Sequence, residues 1–232
     1  ALGGWLGGAF VAIIAPVAFS GLYEYPIALS FLGLTMLIGR RADLRAWIET
    51  GPRAALIVTA ALVAVIAWKI ASAASEQDSV TTLEVRRSSY GLYRVTRTPR
   101  GRGSVRDLVS GQTRHGRQRE GDPTPLSYYH TRGPLGDAMV AFAPARIGAV
   151  GLGVGAAAGH LGPGQSMRFF EIDPAVADLA RAHFSYLSRA GSAVDVVIGD
   201  ARISLEDERA DGAAPYDLLL IDAFAGDAIP TH

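Results

Sequence analysis

Residues 146–173 read RIGAVGLGVGAAAGHLGPGQSMRFFEID. Their pattern predicts a strand over 147–150, a glycine-rich turn, a short helix over 155–161 and a second strand over 168–172. A strand, a glycine turn, a helix and another strand form the first unit of a sheet with parallel strands. This stretch therefore decides the fold class.

The glycine-rich turn has the features of a nucleoside site. Gly151, Gly153 and Gly155 carry no Cβ, so a ligand can approach the backbone of the turn closely. Glu171 ends the following strand, where a carboxylate can bind both hydroxyls of a ribose. We expect a nucleoside-containing ligand at the carboxyl edge of the sheet.

The rest of the chain after residue 135 continues the alternation of strands and helices. The pattern predicts a helix over 174–189, a strand over 194–198, a helix over 203–209 and a strand over 216–222. We therefore expect an α/β fold over 136–232, a doubly wound, Rossmann-like parallel sheet of the methyltransferase type. The sequence stops just past the last predicted strand, so we expect this sheet to be incomplete.

Three acids follow successive predicted strands, namely Glu171, Asp200 and Asp222. Because the carboxyl ends of parallel strands lie at one edge of a sheet, the three should line one crevice. The alternative is structural: Asp173 and Asp200 cap helices, and Asp222 ends its strand in a turn.

Residues 75–135 are polar and rich in arginine. Strands are predicted over 81–87, 92–98 and 105–110, separated by turn signals, so we expect a small antiparallel β-domain. The arginines indicate a solvated face, with anionic lipid headgroups as the alternative partner. Aromatic residues are not interleaved with them, which argues against nucleic-acid binding.

Residues 1–74 are strongly apolar. The runs 2–19 and 54–70 each have about the length of a bilayer-spanning helix, and 27–38 is a shorter third run. We expect transmembrane helices here, with the lipid bilayer as a partner; buried helices of a soluble protein and a signal peptide over 2–19 are the alternatives. By the positive-inside rule the arginine-rich loop 40–53 lies in the cytoplasm, which would place the α/β domain outside, but we expect that domain in the cytoplasm, where nucleoside ligands are made.

Composition excludes several kinds of chemistry. The 232 residues carry no net charge at pH 7 and include no cysteine. Disulfides, thiolate metal sites and a cysteine nucleophile are therefore excluded, and neither His115 nor His130 has metal-ligand spacing with a partner. We expect no metal.

Several motifs together resemble the spermidine synthase family of aminopropyltransferases, and more narrowly its membrane-fused branch. They are GLGVGAAAG, FFEID, GDA and YDLLLIDAFAGDAIP in the α/β part, with LVSGQTRHGRQ and PLSYYH ahead of it. The resemblance covers about residues 80–232. It implies an enzyme with decarboxylated S-adenosylmethionine as co-substrate and no tightly bound cofactor.

The resemblance also implies roles for individual residues. Gly151, Gly153 and the rest of their turn would approach the methionine part of the donor, and Glu171 its ribose. Asp200 and Ala201 would contact adenine, and Asp222 would be the general base. The amine pocket would be lined by Tyr129, His130, Gln118 and Asp227, whereas a role for His115 stays open.

Three positions depart from the family pattern. Val154 stands where the family has an aspartate that holds the amine end of the donor, and Thr131 stands where a glutamate usually follows the Tyr-His pair. After Asp222 the next acid is Asp227, five residues on instead of three. Fewer carboxylates make a weaker site for polyamine cations.

These observations leave three functional hypotheses. The leading one is a membrane-anchored aminopropyltransferase that extends an amine such as putrescine; a homo-oligomer is implied by the resemblance alone, and the sequence does not give the oligomeric state. The second is a methyltransferase that uses S-adenosylmethionine on the same scaffold. The third is a non-catalytic membrane protein that binds a nucleoside.

Overall fold

The computed structural model of the chain describes residues 2–19, 23–39, 51, 80–111 and 113–223. The chain divides into two compact units, residues 1–80 and 81–232. The predicted boundaries of three domains, 1–74, 75–135 and 136–232, stay predictions.

The first unit is helical where it is described. Helix α1 (Leu2–Ala9) continues through a π-helical stretch (Phe10–Ile14) into α2 (Ala15–Ala18), and α3 covers Glu24–Gly39. None of the helices in the described ranges combines the length and the apolar character needed to cross a bilayer. The predicted span 54–70 lies outside the described residues.

An antiparallel sheet opens the second unit. Its strands run in chain order and are β1 (Thr81–Arg87), β2 (Leu92–Arg100), β3 (Gly103–Ser110) and β4 (Thr113–Arg119). The first three agree with the predicted strands. The fourth was not predicted, because TRHGRQR has no apolar alternation; it pairs with β3, and its Arg117 binds the buried Asp107 of that strand.

A parallel sheet follows, as predicted. It consists of β5 (Arg146–Val150), β6 (Ser166–Glu171), β7 (Val194–Ile198) and β8 (Leu218–Ile221), in the order β7-β6-β5-β8. The chain runs from β5 through β6 to β7 on one side and then crosses to β8 on the other. Ligands of open α/β sheets bind at such a reversal, here the carboxyl ends of β5 and β8.

Helices and short 3₁₀ turns connect these strands. The helices are α4 (Pro134–Phe142), α5 (Pro174–His183), α6 (Tyr186–Ala190) and α7 (Ala201–Ala210), and the 3₁₀ turns are Ser127–Tyr129, Ala156–His160 and Gly191–Ala193. The short helix predicted over 155–161 is thus a 3₁₀ turn. Helix α4 was not predicted.

The prediction of one helix over 174–189 is wrong, since the helix breaks between α5 and α6. The break is fixed by two side chains of the antiparallel sheet. Arg106 donates to the carbonyl oxygen of His183 (2.8 Å), and the amide oxygen of Gln118 accepts from the backbone N–H of Ser185 (2.9 Å). A continuous helix would need the same carbonyl and N–H groups for its own backbone hydrogen bonds. Because the partners are distant in sequence, no local pattern indicates these contacts.

The two sheets share one hydrophobic core. Val95 and Leu108 of the antiparallel sheet are fully buried together with Ile147 of β5, Phe169 of β6 and Leu179 of α5. The antiparallel sheet therefore has a fixed position on the α/β part and can supply side chains to a site at the switch point.

Candidate functional site at the sheet switch point

The glycine turn after β5 allows close contacts within the chain. Gly151 and Gly153 have φ values of +92° and +54°, in the left-handed region. A Cβ on Gly151 would lie 2.2 Å from the carbonyl oxygen of Asp222, and a Cβ on Gly153 would lie 2.3 Å from that of His115. The end of β8 and strand β4 therefore both pack directly against the backbone of the turn. The predicted ligand contacts of Gly151, Gly153 and Gly155 stay predictions.

Glu171 lies at the end of β6, next to this turn, and is 8% exposed. One carboxylate oxygen accepts the backbone N–H of Leu152 and the other that of Asp173, both at 3.0 Å. Burial raises the pKa of this carboxyl group. A carboxylate has about four acceptor sites, so the group keeps capacity for a hydroxyl of a ribose.

Asp173 is a helix cap, as the structural alternative predicted. It accepts the backbone N–H of Ala175 (2.9 Å) in the first turn of α5, and the hydroxyl of Ser88 donates to it. Burial, and then the charge of Asp173, raise the pKa of Tyr93, so this phenol stays protonated.

Asp200 also caps a helix. Its Oδ1 accepts the backbone N–H groups of Arg202 (2.8 Å) and Ile203 (3.2 Å) in α7, which begins at Ala201. No group of the described chain hydrogen-bonds the other oxygen, Oδ2. The predicted adenine contacts of Asp200 and Ala201 stay predictions.

Asp222 follows β8 and is held by two tyrosines. The hydroxyls of Tyr128 (3.3 Å) and Tyr129 both donate to its Oδ2. Burial raises the pKa of Tyr128 to about 12, so this hydroxyl stays protonated and acts as a donor. The backbone of Tyr129 is held in turn by His160, whose Nε2 lies 2.7 Å from its carbonyl oxygen.

His115 of β4 lies near the same carboxylate. Burial lowers its pKa, and the negative charge of Asp222 opposes that shift. The imidazole meets the ring of Tyr93 edge-on, with 6.0 Å between ring centroids. The sequence left His115 open and missed Tyr128 and Tyr93; only the position of Tyr128 beside Tyr129 in PLSYYH could have indicated one of them.

Three other predicted amine-pocket residues have no described contact with Asp222. The Nδ1 of His130 accepts the backbone N–H of Arg132 (3.1 Å) within its own turn. Gln118 is 5% exposed and hydrogen-bonds Ser185, beside an open cavity of about 490 Å³. Asp227 lies outside the described residues. Their roles in substrate binding stay predictions.

Val154 is a structural residue of the glycine turn. It is 1% exposed and packs on Gly116 of β4, where an added Cβ would lie 2.3 Å from a methyl carbon of Val154. A carboxylate at position 154 would be buried against this strand, which explains the apolar residue.

No family model matches the chain. A curated polyamine aminopropyltransferase from Vibrio vulnificus is 37% identical over 92 residues, which cover 38% of this chain and 30% of the relative. This match confirms the resemblance to the spermidine synthase family. The chain thus spans less than a third of that relative's length, and the membrane-fused branch stays a prediction.

Two solved structures show weaker likeness. A spermidine synthase from Thermotoga maritima is 15% identical, covering 61% of this chain and 46% of its own, with a TM-score of 0.45. An O-methyltransferase from Streptomyces achromogenes, solved in complex with SAM, is 27% identical, covering 38% of this chain and 41% of its own, with a TM-score of 0.33. At TM-scores this low, neither adds to the assignment.

Proposed function

We propose that the protein is an aminopropyltransferase. It transfers the aminopropyl group of decarboxylated S-adenosylmethionine to an amine such as putrescine and releases methylthioadenosine. The observation that carries this proposal is the position of the Asp222 carboxylate. Asp222 follows β8, the neighbour of β5, and lies beside the glycine turn, where two tyrosine hydroxyls donate to it.

The nucleoside half of the site is supported by two carboxylates. Glu171 is fixed by the N–H groups of Leu152 and Asp173 and binds the ribose hydroxyls. Asp200 presents Oδ2 to the exocyclic amine of adenine, since its helix cap uses only Oδ1.

The amine half is centred on Asp222. Because the tyrosines donate to Oδ2, Oδ1 is available for the ammonium group of the acceptor. Reaction requires that the ammonium lose a proton, after which nitrogen attacks the carbon next to the sulfonium and the C–S bond breaks towards sulfur.

A specific observation favours a second candidate, a methyltransferase that uses S-adenosylmethionine itself. The side chain at position 154, where an acid would hold the amine of the aminopropyl donor, is a valine buried against Gly116. The site therefore lacks a carboxylate that would select decarboxylated S-adenosylmethionine over S-adenosylmethionine.

Product identification tests the proposal. The full chain is incubated with decarboxylated or intact S-adenosylmethionine, each with and without a mixture of amines, and the nucleoside product is identified by mass spectrometry. We expect methylthioadenosine only with the decarboxylated donor and an amine together. S-adenosylhomocysteine would establish the methyltransferase instead, and nucleoside binding without either product would establish the non-catalytic alternative.

We also propose that the protein is anchored in a membrane with its catalytic unit in the cytoplasm. The apolar runs 2–19, which has no charged residue, and 54–70, which has only Lys69, support the anchor, and the cytoplasmic origin of adenosyl donors supports the orientation. Protease protection in sealed vesicles tests the orientation. A catalytic unit on the outer face would overturn it.

A further inference from the structure

His115 is placed by its backbone at the centre of the site. Strand β4 crosses the glycine turn at His115 and Gly116, with the His115 carbonyl against Gly153 and Val154 packed over Gly116. A residue larger than glycine at position 116 or 153 would displace β4 from the turn. The backbone of His115, and with it the base of its side chain, therefore has a fixed position beside the turn.

The ring nitrogens of His115 are free for a ligand. Within the described part of the chain, no group hydrogen-bonds this ring, and no buried side-chain nitrogen or oxygen lacks a partner. Both nitrogens are therefore reached by solvent, although the residue itself is half-buried. A base that exchanges protons with a substrate needs an accessible nitrogen on a residue whose backbone is held in place, which His115 provides.

The groups around the imidazole keep it neutral at neutral pH. Burial lowers its pKa, and Asp222, at the end of β8, is the charged group that faces it. The ring of Tyr93 in β2 lies next to the imidazole in an edge-type arrangement, and Tyr93 is itself a protonated phenol beside Asp173 and Glu171. A neutral imidazole and a neighbouring carboxylate can therefore have separate roles: the carboxylate attracts a cation, and the imidazole accepts a proton from that cation.

We propose that His115 is a second catalytic residue of the site and takes the proton that the acceptor ammonium must lose, while Asp222 holds the amine. The inference rests on the proposed aminopropyl transfer. A nitrogen of the imidazole accepts a proton from the ammonium, which leaves a neutral amine. Its lone pair forms the new C–N bond as the C–S pair moves to sulfur, which gives methylthioadenosine and a secondary ammonium, and the imidazolium then releases its proton to solvent.

The division of roles fits the chemistry of the two groups. An ordinary imidazole has a pKa of about 6.5 and an ordinary carboxyl group one of about 4, so an imidazole accepts a proton near neutral pH more effectively. Asp222 already accepts two tyrosine hydroxyls on one oxygen, which suits it to hold a charge in place.

The test compares His115→Gln and His115→Ala with the matched control His183→Gln, a histidine that binds Glu84 away from Asp222. We expect kcat to fall about 100-fold or more in both His115 variants, with unchanged binding of methylthioadenosine. In His115→Gln the acidic limb of the pH profile of kcat/KM should disappear. Added imidazole should restore part of the activity of His115→Ala, and His183→Gln should keep the wild-type profile.

Two results overturn the inference in distinguishable ways. If the wild-type chain forms methylthioadenosine and the His115 variants keep kcat within threefold, on the order of less than 1 kcal/mol, only the role of His115 falls. If the wild-type chain forms no methylthioadenosine with any amine, the proposed function falls, and this inference with it. Bound methylthioadenosine in each variant verifies that the site is folded.

Discussion

Tyr129 shows how single hydroxyl groups set the chemistry of the site. Its side chain is 8% exposed, and its hydroxyl donates to Asp222, 93 residues later in the chain. A hydrogen bond to a charged group is worth about 1.5–3 kcal/mol. The sequence suggested Tyr129 through the resemblance alone, since nothing in PLSYYH reports a partner so distant.

Replacing Tyr129 by phenylalanine should lower kcat about 10- to 100-fold, because Asp222 loses the donor that orients it. Steady-state kinetics measures this. Tyr186→Phe is the matched control, since Tyr186 is also buried (1% exposed) but donates to the backbone oxygens of Arg117 and Thr124. It should lower the free energy of unfolding by about 1 kcal/mol and leave kcat unchanged. Equal loss of kcat in both variants would contradict the role of Tyr129.

Gly153→Ala should destabilise the protein by about 2–4 kcal/mol, since it combines a left-handed φ with a clash against the His115 carbonyl. Gly164→Ala is the control: its φ is +79°, but nothing lies within 4 Å of the added Cβ, so about 1 kcal/mol is expected. Urea unfolding gives both values. Equal losses would mean that β4 does not rest on the turn.

The break between α5 and α6 is the clearest element that the sequence could not predict. The apolar stripe of 174–189 is continuous, and the residues that interrupt it, Arg106 and Gln118, belong to another sheet. For the same reason β4 escaped prediction: its polar residues bind partners on β3 instead of forming an apolar face. Strands with an apolar pattern were predicted well, whereas the helix break and β4, which depend on long-range polar contacts, were not.

Gln118→Ala should lower the free energy of unfolding by about 1–3 kcal/mol, because it leaves Ser185 without its partner at the helix break. A double-mutant cycle with Ser185→Ala should give a coupling energy of at least about 0.5 kcal/mol. Additive effects would contradict this contact. The KM for the amine in Gln118→Ala separately tests the predicted role in substrate binding.

The antiparallel sheet should lose stability in acid. Hydrogen bonds from Ser104, Arg106 and Arg97 lower the pKa of Glu120 to about 2. Its stabilising effect is therefore fully present above about pH 4.5 and is lost as the pH falls towards 2.

Melting temperatures of the wild type and Glu120→Gln between pH 2 and 7 measure this effect. The variant should be less stable than wild type at pH 7, and the difference should shrink in acid. Glu206→Gln, in an exposed ion pair with Arg202, is the control and should change little at any pH. A difference that stays constant with pH would contradict the role of Glu120.

At the scale of the whole molecule, the strand order brings together residues that are distant in sequence. The reversal between β5 and β8 places Asp222 beside the glycine turn, and the shared core places the antiparallel sheet over both. The sequence predicted the parallel sheet and the acids at its edge, since each depends on local patterns. It did not predict Tyr93, Tyr128 or the buried position of Val154, which depend on how the sheets pack.

Release of methylthioadenosine by Asp222→Asn tests the central claim most directly. The control is Asp217→Asn at the other end of β8, whose carboxylate accepts the N–H groups of Ala145 and Arg146 (2.8 Å) and has no described contact with the site. We predict that Asp222→Asn binds methylthioadenosine as wild type does but forms it at least about 100-fold more slowly, because the acceptor amine is no longer held in place, while Asp217→Asn keeps the wild-type rate. Wild-type turnover in Asp222→Asn would contradict the account.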